Sequence, residues 1–349
     1  MMIEKSKVIV TGGAGFIGSH LVDHLLQYDN EVLVLDDFSS GNRDNLKQHE
    51  SSTALTIIEA DITDENALYE LFSGVEYVFH LACRNVRTSI RQPTIVHDVN
   101  ATGTLNVLKA SANAKVRRFL YCSSSEVNGS ADIIPMPEDY HFKPETIYGA
   151  SKLLGEYYTQ VFERSGWINS VIVRPHNNYG PREHYFGVKG EVIPRFILWA
   201  LAGTPQIIYG DGKQTRDFTY VTETVQYMLK LMALDSARGS TFNLCRGEEV
   251  SIANIAELIN EIVGTSLAPI FCPGRPSDVL RLYGDPSRLK EFIGDSPSIS
   301  IREGLKRTVA WFRENVQLDE ELMLSLQAKN WELGNHEPWL NTLMASKNE

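Results

Sequence analysis

The stretch KVIVTGGAGFIGSHLVDHLL, residues 7–26, joins a short apolar run to a glycine-rich turn and an amphipathic helical pattern. Gly12, Gly15 and Gly18 are spaced GxxGxxG at the start of the helical part. Such glycines permit a tight turn, a close approach of the backbone to a pyrophosphate and close packing of the helix on the sheet. The positive end of the helix favours the phosphate charge. The stretch therefore predicts a strand, a dinucleotide-binding turn and a helix.

The same alternation of an apolar run and a helix-length segment continues through the first half of the chain. The apolar runs are KVIV at 7–10, EVLVLD at 31–36, LTIIEAD at 55–61, YVFHLA at 77–82, RRFLYCSS at 117–124 and SVIVRP at 170–175. Continuous Val, Ile and Leu runs separated by helices indicate a parallel sheet covered on both faces. The predicted fold class is α/β, with a Rossmann-type doubly wound sheet.

The length of 349 residues and a change of pattern after Pro175 predict more than one domain. We expect a dinucleotide-binding domain over 1–175, with interleaved segments near 212–245, and a smaller α/β substrate domain over 176–316. The remaining residues, 317–349, carry Leu residues at loosely helical spacing and predict a helical tail packed on the body or on a neighbouring subunit.

Composition and charge exclude several functional classes. With 43% hydrophobic and 22% charged residues, the chain has the composition of a globular protein. A net charge of −11 argues against nucleic-acid binding, which needs a basic surface. The four cysteines are scattered, which favours reduced thiols over a disulfide framework or a zinc site. No apolar stretch approaches the length of a membrane span, so we expect a cytoplasmic protein without a membrane.

Two acidic residues follow the second predicted strand. Asp36 lies 18 residues beyond Gly18, where a carboxylate can accept hydrogen bonds from the adenosine ribose hydroxyls. Asp37 follows it, and two carboxylates without an adjacent arginine would repel a 2′-phosphate. The predicted cofactor is therefore NAD rather than NADP. Asp61, after the third strand, is placed to reach the adenine edge or to act only as a turn residue.

The catalytic prediction depends on Tyr148 and Lys152 in IYGASK. Four positions apart on a helix, they share one face. The ammonium and the positive nicotinamide favour the phenolate, which lowers the pKa of Tyr148 and makes it an acid/base for oxidation of a hydroxyl. Lys152 is also placed to hold the nicotinamide ribose. Ser123, Ser124 and Ser125 follow a strand end, and one of them is expected to contact the reacting hydroxyl.

Together these motifs resemble the extended short-chain dehydrogenase/reductase family, specifically its nucleotide-sugar epimerase, dehydratase and decarboxylase branch. The resemblance runs from about residue 6 to residue 314. Its motifs are GGAGFIG at 12–18, HLAC at 80–83, Asn100 in VNATGTLNVL, SSSEV at 123–127, YGASK at 148–152, RPHNNYGP at 174–181, RDFTYV at 216–221 and FNL at 242–244. It implies that NAD takes a hydride from sugar C4 and returns it after a second step, without an external redox partner. It also implies a homodimer.

The resemblance assigns roles by position. The residues it implies for the cofactor, together with those predicted above, are Gly12, Gly15, Phe16, Ile17, Gly18, Asp36, Asp61, Ile62, Ala82, Asn100, Ser123, Tyr148 and Lys152. Ser124 is the implied hydroxyl partner of Tyr148. For a nucleotide-diphosphate sugar, it implies Asn177 near the diphosphate, Arg216 and Arg275 gripping that diphosphate, and Asp278 at the nucleotide ribose.

The second step of the reaction depends on the residues after Ser124. Enzymes of this branch that lose water or CO2 resemble this chain in having a glutamate at Glu126, which would act as a base near sugar C5. The dehydratases also tend to carry an aspartic acid just before it, where this chain has Ser125. Arg87 lies where uronate epimerases can offer an arginine, so a sugar carboxylate fits either 4-epimerisation or decarboxylation. Alternatively, Arg87 holds a loop or a subunit contact.

Other parts of the chain are more similar to the 4-epimerases. These are IPRF at 193–196, GDGKQTRDFTYV at 210–221 and IREGLKRTVAWF at 301–312. We therefore predict a nucleotide-sugar 4-epimerase, with a decarboxylase or a 4,6-dehydratase as the alternatives. A simple dehydrogenase or reductase and a non-catalytic NAD-binding protein are less favoured. Asn128, His176 and a longer 182–191 loop depart from the family pattern and leave the sugar open.

Overall fold

A computed structural model describes residues 2–274, 280–294, 297–327 and 329. Its strands are β1 (Lys7–Thr11), β2 (Glu31–Asp36), β3 (Leu55–Glu59), β4 (Tyr77–His80), β5 (Arg118–Cys122), β6 (Ser170–Pro175), β7 (Asn177–Tyr179), β8 (Ile207–Tyr209), β9 (Thr215–Arg216), β10 (Phe218–Tyr220), β11 (Thr241–Leu244), β12 (Val250–Ser251), β13 (Ile270–Cys272) and β14 (Arg281–Leu282).

The α-helices of the described residues are α1 (Phe16–Leu26), α2 (Glu65–Leu71), α3 (Val86–Arg91), α4 (Pro93–His97), α5 (Thr104–Ala114), α6 (Ile147–Arg164), α7 (Val192–Leu201), α8 (Val221–Ala233), α9 (Ile252–Val263), α10 (Ser287–Ile293), α11 (Ile301–Asn315) and α12 (Glu320–Gln327). Short 3-10 turns cover Arg43–His49, Ser125–Val127, Gly187–Lys189 and Asp235–Ala237, and a π-helical turn covers Asp98–Gly103.

The large sheet confirms the predicted fold class. Within the described residues it has seven strands in the order β11-β6-β5-β4-β1-β2-β3, and every pairing is parallel. All six apolar runs quoted from the sequence become strands of this sheet, and β11 adds the seventh. The carboxyl ends of β1, β2, β4 and β5 therefore meet at one edge, where open α/β sheets bind ligands.

Helices cover both faces of this sheet. Side chains alternate along β1, so that Val8 and Val10 pack in one cluster with α1 and α8, whereas Ile9 packs in another with α2, α5 and α6. The chain leaves the sheet after β6, adds α8 to one face and returns to the sheet as β11. This is the region in which the sequence predicted interleaving.

A separate apolar cluster holds the rest of the described chain. It includes residues of α7, α9, α11 and α12 and of the small sheets that contain β7, β8 and β10. The domain bounds at 175 and 316 stay predictions. Arg275, Asp278 and most of the tail, with Trp331 and Trp339, lie outside the described residues. None of the described helices has the length and apolar character needed to cross a membrane.

Helix α6 is held so that its first turns face the edge of the sheet. Thr146 caps it by accepting a hydrogen bond from the Gly149 N–H at 3.0 Å. One turn further, the Tyr121 hydroxyl on β5 donates to the Lys152 carbonyl at 3.0 Å. A Cβ at Gly155 would fall 2.1 Å from that same hydroxyl, so only glycine allows this approach. Tyr148 and Lys152 are thereby fixed relative to β5.

Candidate active site

The glycine turn has the shape that a dinucleotide needs. Gly12 has φ +71°, and a Cβ there would lie 2.8 Å from the Ala82 nitrogen on the neighbouring strand end. A Cβ at Gly18 would lie 2.2 Å from the Gly12 carbonyl oxygen. Helix α1 starts at Phe16 without a side-chain cap, so the N–H groups of its first turn are available to an anionic ligand. These residues fit the pyrophosphate of NAD.

The acidic residues after β2 differ from each other in their surroundings. Asp36 is buried, and its carboxylate accepts hydrogen bonds from the Ala14 and Phe38 N–H groups, each at 2.9 Å. Burial raises the pKa of Asp36. Asp37 forms a 2.8 Å ion pair with Arg84. The expectation of no adjacent arginine was therefore wrong, because Arg84 is far away in sequence and arrives from the end of β4. Asp37 neutralises this arginine.

A cavity of about 320 Å³ lies along the edge where these strands end. The predicted residues that line it are Gly12, Gly15, Phe16, Ile17, Gly18, Asp36, Asp61, Ile62, Ala82, Ser123, Ser124, Tyr148, Lys152 and Asn177. Asp61 lies two residues after the end of β3 and also accepts a hydrogen bond from the Thr63 N–H at 2.8 Å. Both readings of Asp61, cavity residue and turn residue, therefore match its geometry.

Asn100 is fully buried behind this cavity rather than on its wall. Its carbonyl oxygen accepts from the Arg84 N–H at 2.7 Å, and its amide donates to the Ser151 hydroxyl at 3.1 Å. It thus connects the loop after β4 to α6. The predicted contact of Asn100 with the cofactor stays a prediction, while the observed contacts give it a positioning role.

Tyr148, Lys152 and Ser124 come together in the wall of the cavity. Burial raises the pKa of Tyr148, while the Lys152 ammonium and a hydrogen bond with Ser124 act in the opposite direction. The Lys152 Nζ lies 4.5 Å from the centre of the Tyr121 ring. The net direction is opposite to the one expected from sequence, because desolvation of the phenolate outweighs Lys152 in the chain alone. Next to them, the Ser123 hydroxyl is buried without a partner among the described residues.

Ser125 and Glu126 are placed differently from Ser124. They form a 3-10 turn in which the Ser124 hydroxyl accepts from the Glu126 N–H at 3.2 Å. Ser125 is buried, and neither residue is among those lining the cavity with Tyr148. The negative charge of Glu126 acts on Arg87 instead. Their predicted catalytic roles stay predictions.

A second cavity, of about 130 Å³, adjoins the first. Among its lining residues are the predicted Arg87, Asn177 and Arg216, and it shares Asn177 and Glu191 with the first cavity. The Asn177 side-chain oxygen is buried without a partner among the described residues. The two cavities therefore adjoin at Asn177 and Glu191, with Tyr148 in the first and Arg216 in the second.

Arg87 already holds a carboxylate of the protein. Its two terminal nitrogens donate to the two oxygens of Glu191 at 2.6 and 2.7 Å. Arg87 is only 7% exposed. Although burial alone would lower it, the pKa of Arg87 is raised by the Glu191 charge. Of the two sequence-based interpretations of Arg87, a contact that holds a loop describes this pair, although Glu191 itself was not predicted.

Residues 181–191, which we call the crossing segment, connect β7 to α7 and contact α1 and the loop after β2. Arg182 donates to Asp23, to His20 and to the Asn45 carbonyl, which follows β2. Farther along, the Lys189 ammonium donates to the Ser39 carbonyl. Glu183, His184 and Glu191 line the first cavity, as does Cys83. The only sequence signal for these residues was the unusual length of this loop.

The comparisons with known proteins agree with this geometry. The model of the NAD dependent epimerase/dehydratase family matches residues 8–245. A putative UDP-glucose 4-epimerase of Methanocaldococcus jannaschii is 35% identical over 311 residues, covering 88% of this chain and 99% of the relative. UDP-glucuronic acid decarboxylase 1 of Arabidopsis thaliana is 34% identical over 324 residues, covering 91% and 72%.

A solved structure is similar over the same length. The UDP-glucose 4-epimerase of Thermotoga maritima with UDP-glucose superposes with a TM-score of 0.84 at 33% identity, covering 89% of this chain and all of that one. The predicted class of enzyme, an NAD-dependent isomerase or lyase of nucleotide sugars, is confirmed, and both 4-epimerases and decarboxylases are among its relatives. The chain belongs to the NAD-dependent epimerase/dehydratase family.

Proposed function

We propose that this protein is a nucleotide-sugar 4-epimerase that oxidises the sugar at C4 and reduces it again from the other face. The observation that carries the proposal is that two adjoining cavities share Asn177 and Glu191. One cavity is lined by Tyr148, Lys152 and Ser124, and the other by Arg216. A diphosphate at Arg216 would direct its sugar along Asn177 towards Tyr148. The similarity to UDP-glucose 4-epimerases over most of the chain supports this assignment and favours a UDP sugar.

The residues of the site have separate roles in this reaction. When bound, NAD supplies the acceptor and later the donor of the C4 hydride. The Tyr148 phenolate takes the proton of the C4 hydroxyl as the carbonyl forms, and gives it back when the C4–H bond is restored on the other face. Because burial opposes the phenolate, the Lys152 ammonium and the Ser124 hydroxyl are needed to stabilise it. The glycine turn and Asp36 bind the cofactor.

The structure favours epimerisation over dehydration of the sugar. Elimination of water needs an acid for the departing hydroxyl, and the position before Glu126 is a buried serine, Ser125. Proton abstraction at C5 needs the Glu126 carboxylate near the sugar, but Glu126 is not among the residues lining the cavity with Tyr148. Epimerisation at C4 requires neither group.

We also propose a cytoplasmic homodimer. Exposed apolar side chains lie on three helices that contact each other, α3, α4 and α6. They are Ile90, Ile95, Ile147, Tyr157 and Val161. Such a face is suited to packing against the same helices of a second copy. The four cysteines are unpaired, which supports a reducing compartment.

The test is incubation of the purified enzyme with UDP-, GDP-, CDP- and dTDP-sugars, followed by NMR of the products. We expect a 4-epimer without net consumption of NAD. A pentose with CO2 would instead assign a decarboxylase, and a 4-keto-6-deoxy sugar would assign a dehydratase. Tyr148→Phe should reduce turnover by about 10³-fold while bound NAD is retained, since it removes only the acid/base group. The same change at Tyr158, on the same helix, serves as the matched control.

A further inference from the structure

We infer that Glu191 makes this enzyme select neutral sugars over uronic acids, because it occupies the guanidinium that a uronate carboxylate would need. The inference deepens the proposed function and rests on it, since it concerns the sugar that reaches Tyr148. Glu191 has no role in the sequence patterns, and it enters the site only through the fold.

The position of the Arg87–Glu191 pair is the first argument. Glu191 lines both cavities, at the place where a sugar attached to a diphosphate at Arg216 would pass towards Tyr148. Arg87 lines only the second cavity and is almost completely buried. The Glu191 carboxylate therefore borders both cavities, while the Arg87 guanidinium borders only the second.

The geometry of the pair is the second argument. Both oxygens of Glu191 accept from the two terminal nitrogens of Arg87, at 2.6 and 2.7 Å. A bidentate pair of this kind occupies both terminal nitrogens of the arginine with one carboxylate. A uronate carboxylate would have to displace Glu191 from Arg87 or lie beside it, where two negative charges repel each other. A sugar with only hydroxyl groups meets neither obstacle and can donate to the Glu191 oxygens.

The groups that act most strongly on the Arg87 charge are carboxyl groups. Arg195 lines the second cavity, but its guanidinium lies over the Trp199 ring at 5.2 Å and donates to the Leu326 carbonyl. Glu183 is buried next to the pair, and burial raises its pKa well above the usual range. The Glu126 charge acts on Arg87 and only adds to the negative side.

The inference is tested by comparing UDP-galactose with UDP-galacturonate. For the native enzyme we expect a ratio of kcat/KM, and of affinities measured by calorimetry, that favours the neutral sugar by about 100-fold. Glu191→Ala releases Arg87 and should move both ratios towards the uronate by about 10-fold or more. The double variant Glu191→Ala/Arg87→Ala should return most of that change, because the released arginine is then absent.

Glu303→Ala is the matched control, since it removes the carboxylate of an exposed arginine pair on α11 and should leave both ratios unchanged. Thermal melting and bound NAD show that each variant is folded. The inference is overturned if the native enzyme binds both sugars equally, or if Glu191→Ala does not change the affinity ratio. Binding with this selectivity but without turnover would overturn the proposed function alone, and binding of neither sugar would overturn both.

Discussion

The cofactor cavity and the crossing segment meet at the same site, yet their residues come together in different ways. The glycine turn, Asp36 and the Tyr148/Lys152 pair each lie at a strand end or on one helix face, so a short sequence pattern predicts where each is placed. The Arg87–Glu191 pair joins residues that are 104 positions apart. Loops of this kind vary without disturbing the sheet. The proposed chemistry therefore belongs to the first region and the proposed choice of sugar to the second.

In the cofactor cavity, substitution of a single glycine should impair NAD binding. Gly12→Ala adds a Cβ 2.8 Å from the Ala82 backbone at φ +71°, where a pyrophosphate would approach. We expect NAD affinity to fall by at least 100-fold, since both the turn and the contact surface must shift. Calorimetric titration of the NAD-free protein measures this loss.

Gly74→Ala is the matched control for that variant. Gly74 has the same φ of +71°, but nothing lies within 4 Å of its added Cβ. It should therefore show the backbone strain alone, about 1–2 kcal/mol of unfolding free energy, with unchanged NAD affinity. If both variants bound NAD equally well, the role of Gly12 at the cofactor would be refuted.

In the crossing segment, the contacts of Arg182 can be removed by a single substitution. Arg182→Ala removes the contacts with Asp23, His20 and Asn45 that tie the crossing segment to the cofactor side. We expect NAD to dissociate about 10-fold faster, because a partly buried charged contact contributes roughly 1–2 kcal/mol. Stopped-flow exchange of bound NAD measures the rate. Arg307→Ala, which removes an exposed arginine pair, is the control, and an equal rate in both variants would show that the segment does not retain NAD.

The smallest expected effect concerns His80 in the HLAC motif. Its ring is buried between the Thr11 and Thr104 hydroxyls, at 2.7 and 2.9 Å, and burial lowers its pKa to about 3 from 6.5. The folded protein therefore keeps His80 neutral, while the unfolded chain takes up a proton as the pH falls below 6.5. The contribution of His80 to stability is complete above that pH and is lost as the pH falls towards 3.

Chemical denaturation at different pH values checks this assignment. Between about pH 5.5 and 4.5, the native protein should lose ~1.4 kcal/mol more unfolding free energy than His80→Gln, which cannot take up the proton. Glutamine still offers hydrogen bonds to both threonines. Equal pH slopes for the native protein and the variant would mean that His80 is protonated in the folded state. His80 would then do more than connect β1, β4 and α5 through neutral hydrogen bonds.

What the sequence could predict follows from the range of the interactions. Short apolar runs separated by helix-length segments locate six strands. The number of residues between the glycines and Asp36 predicts the position of Asp36 at the end of β2. Arg84 was missed beside Asp37 because strand order, not sequence distance, brings them together. The pKa of Tyr148 was expected to fall, but it depends on burial by several segments, which a helical spacing of four residues does not reveal. Glu191 belongs to the same class of long-range contacts.

The return of the chain to the large sheet has a consequence for its synthesis. Strand β6 ends at Pro175, and its outer neighbour β11 begins only at Thr241. Until the ribosome has made that strand, every residue of β6 that is buried in the finished protein lies at an open sheet edge. More than sixty residues must therefore be synthesised while this edge is unpaired and prone to aggregation. A fragment that ends at Pro175 would keep β6 at an unpaired edge.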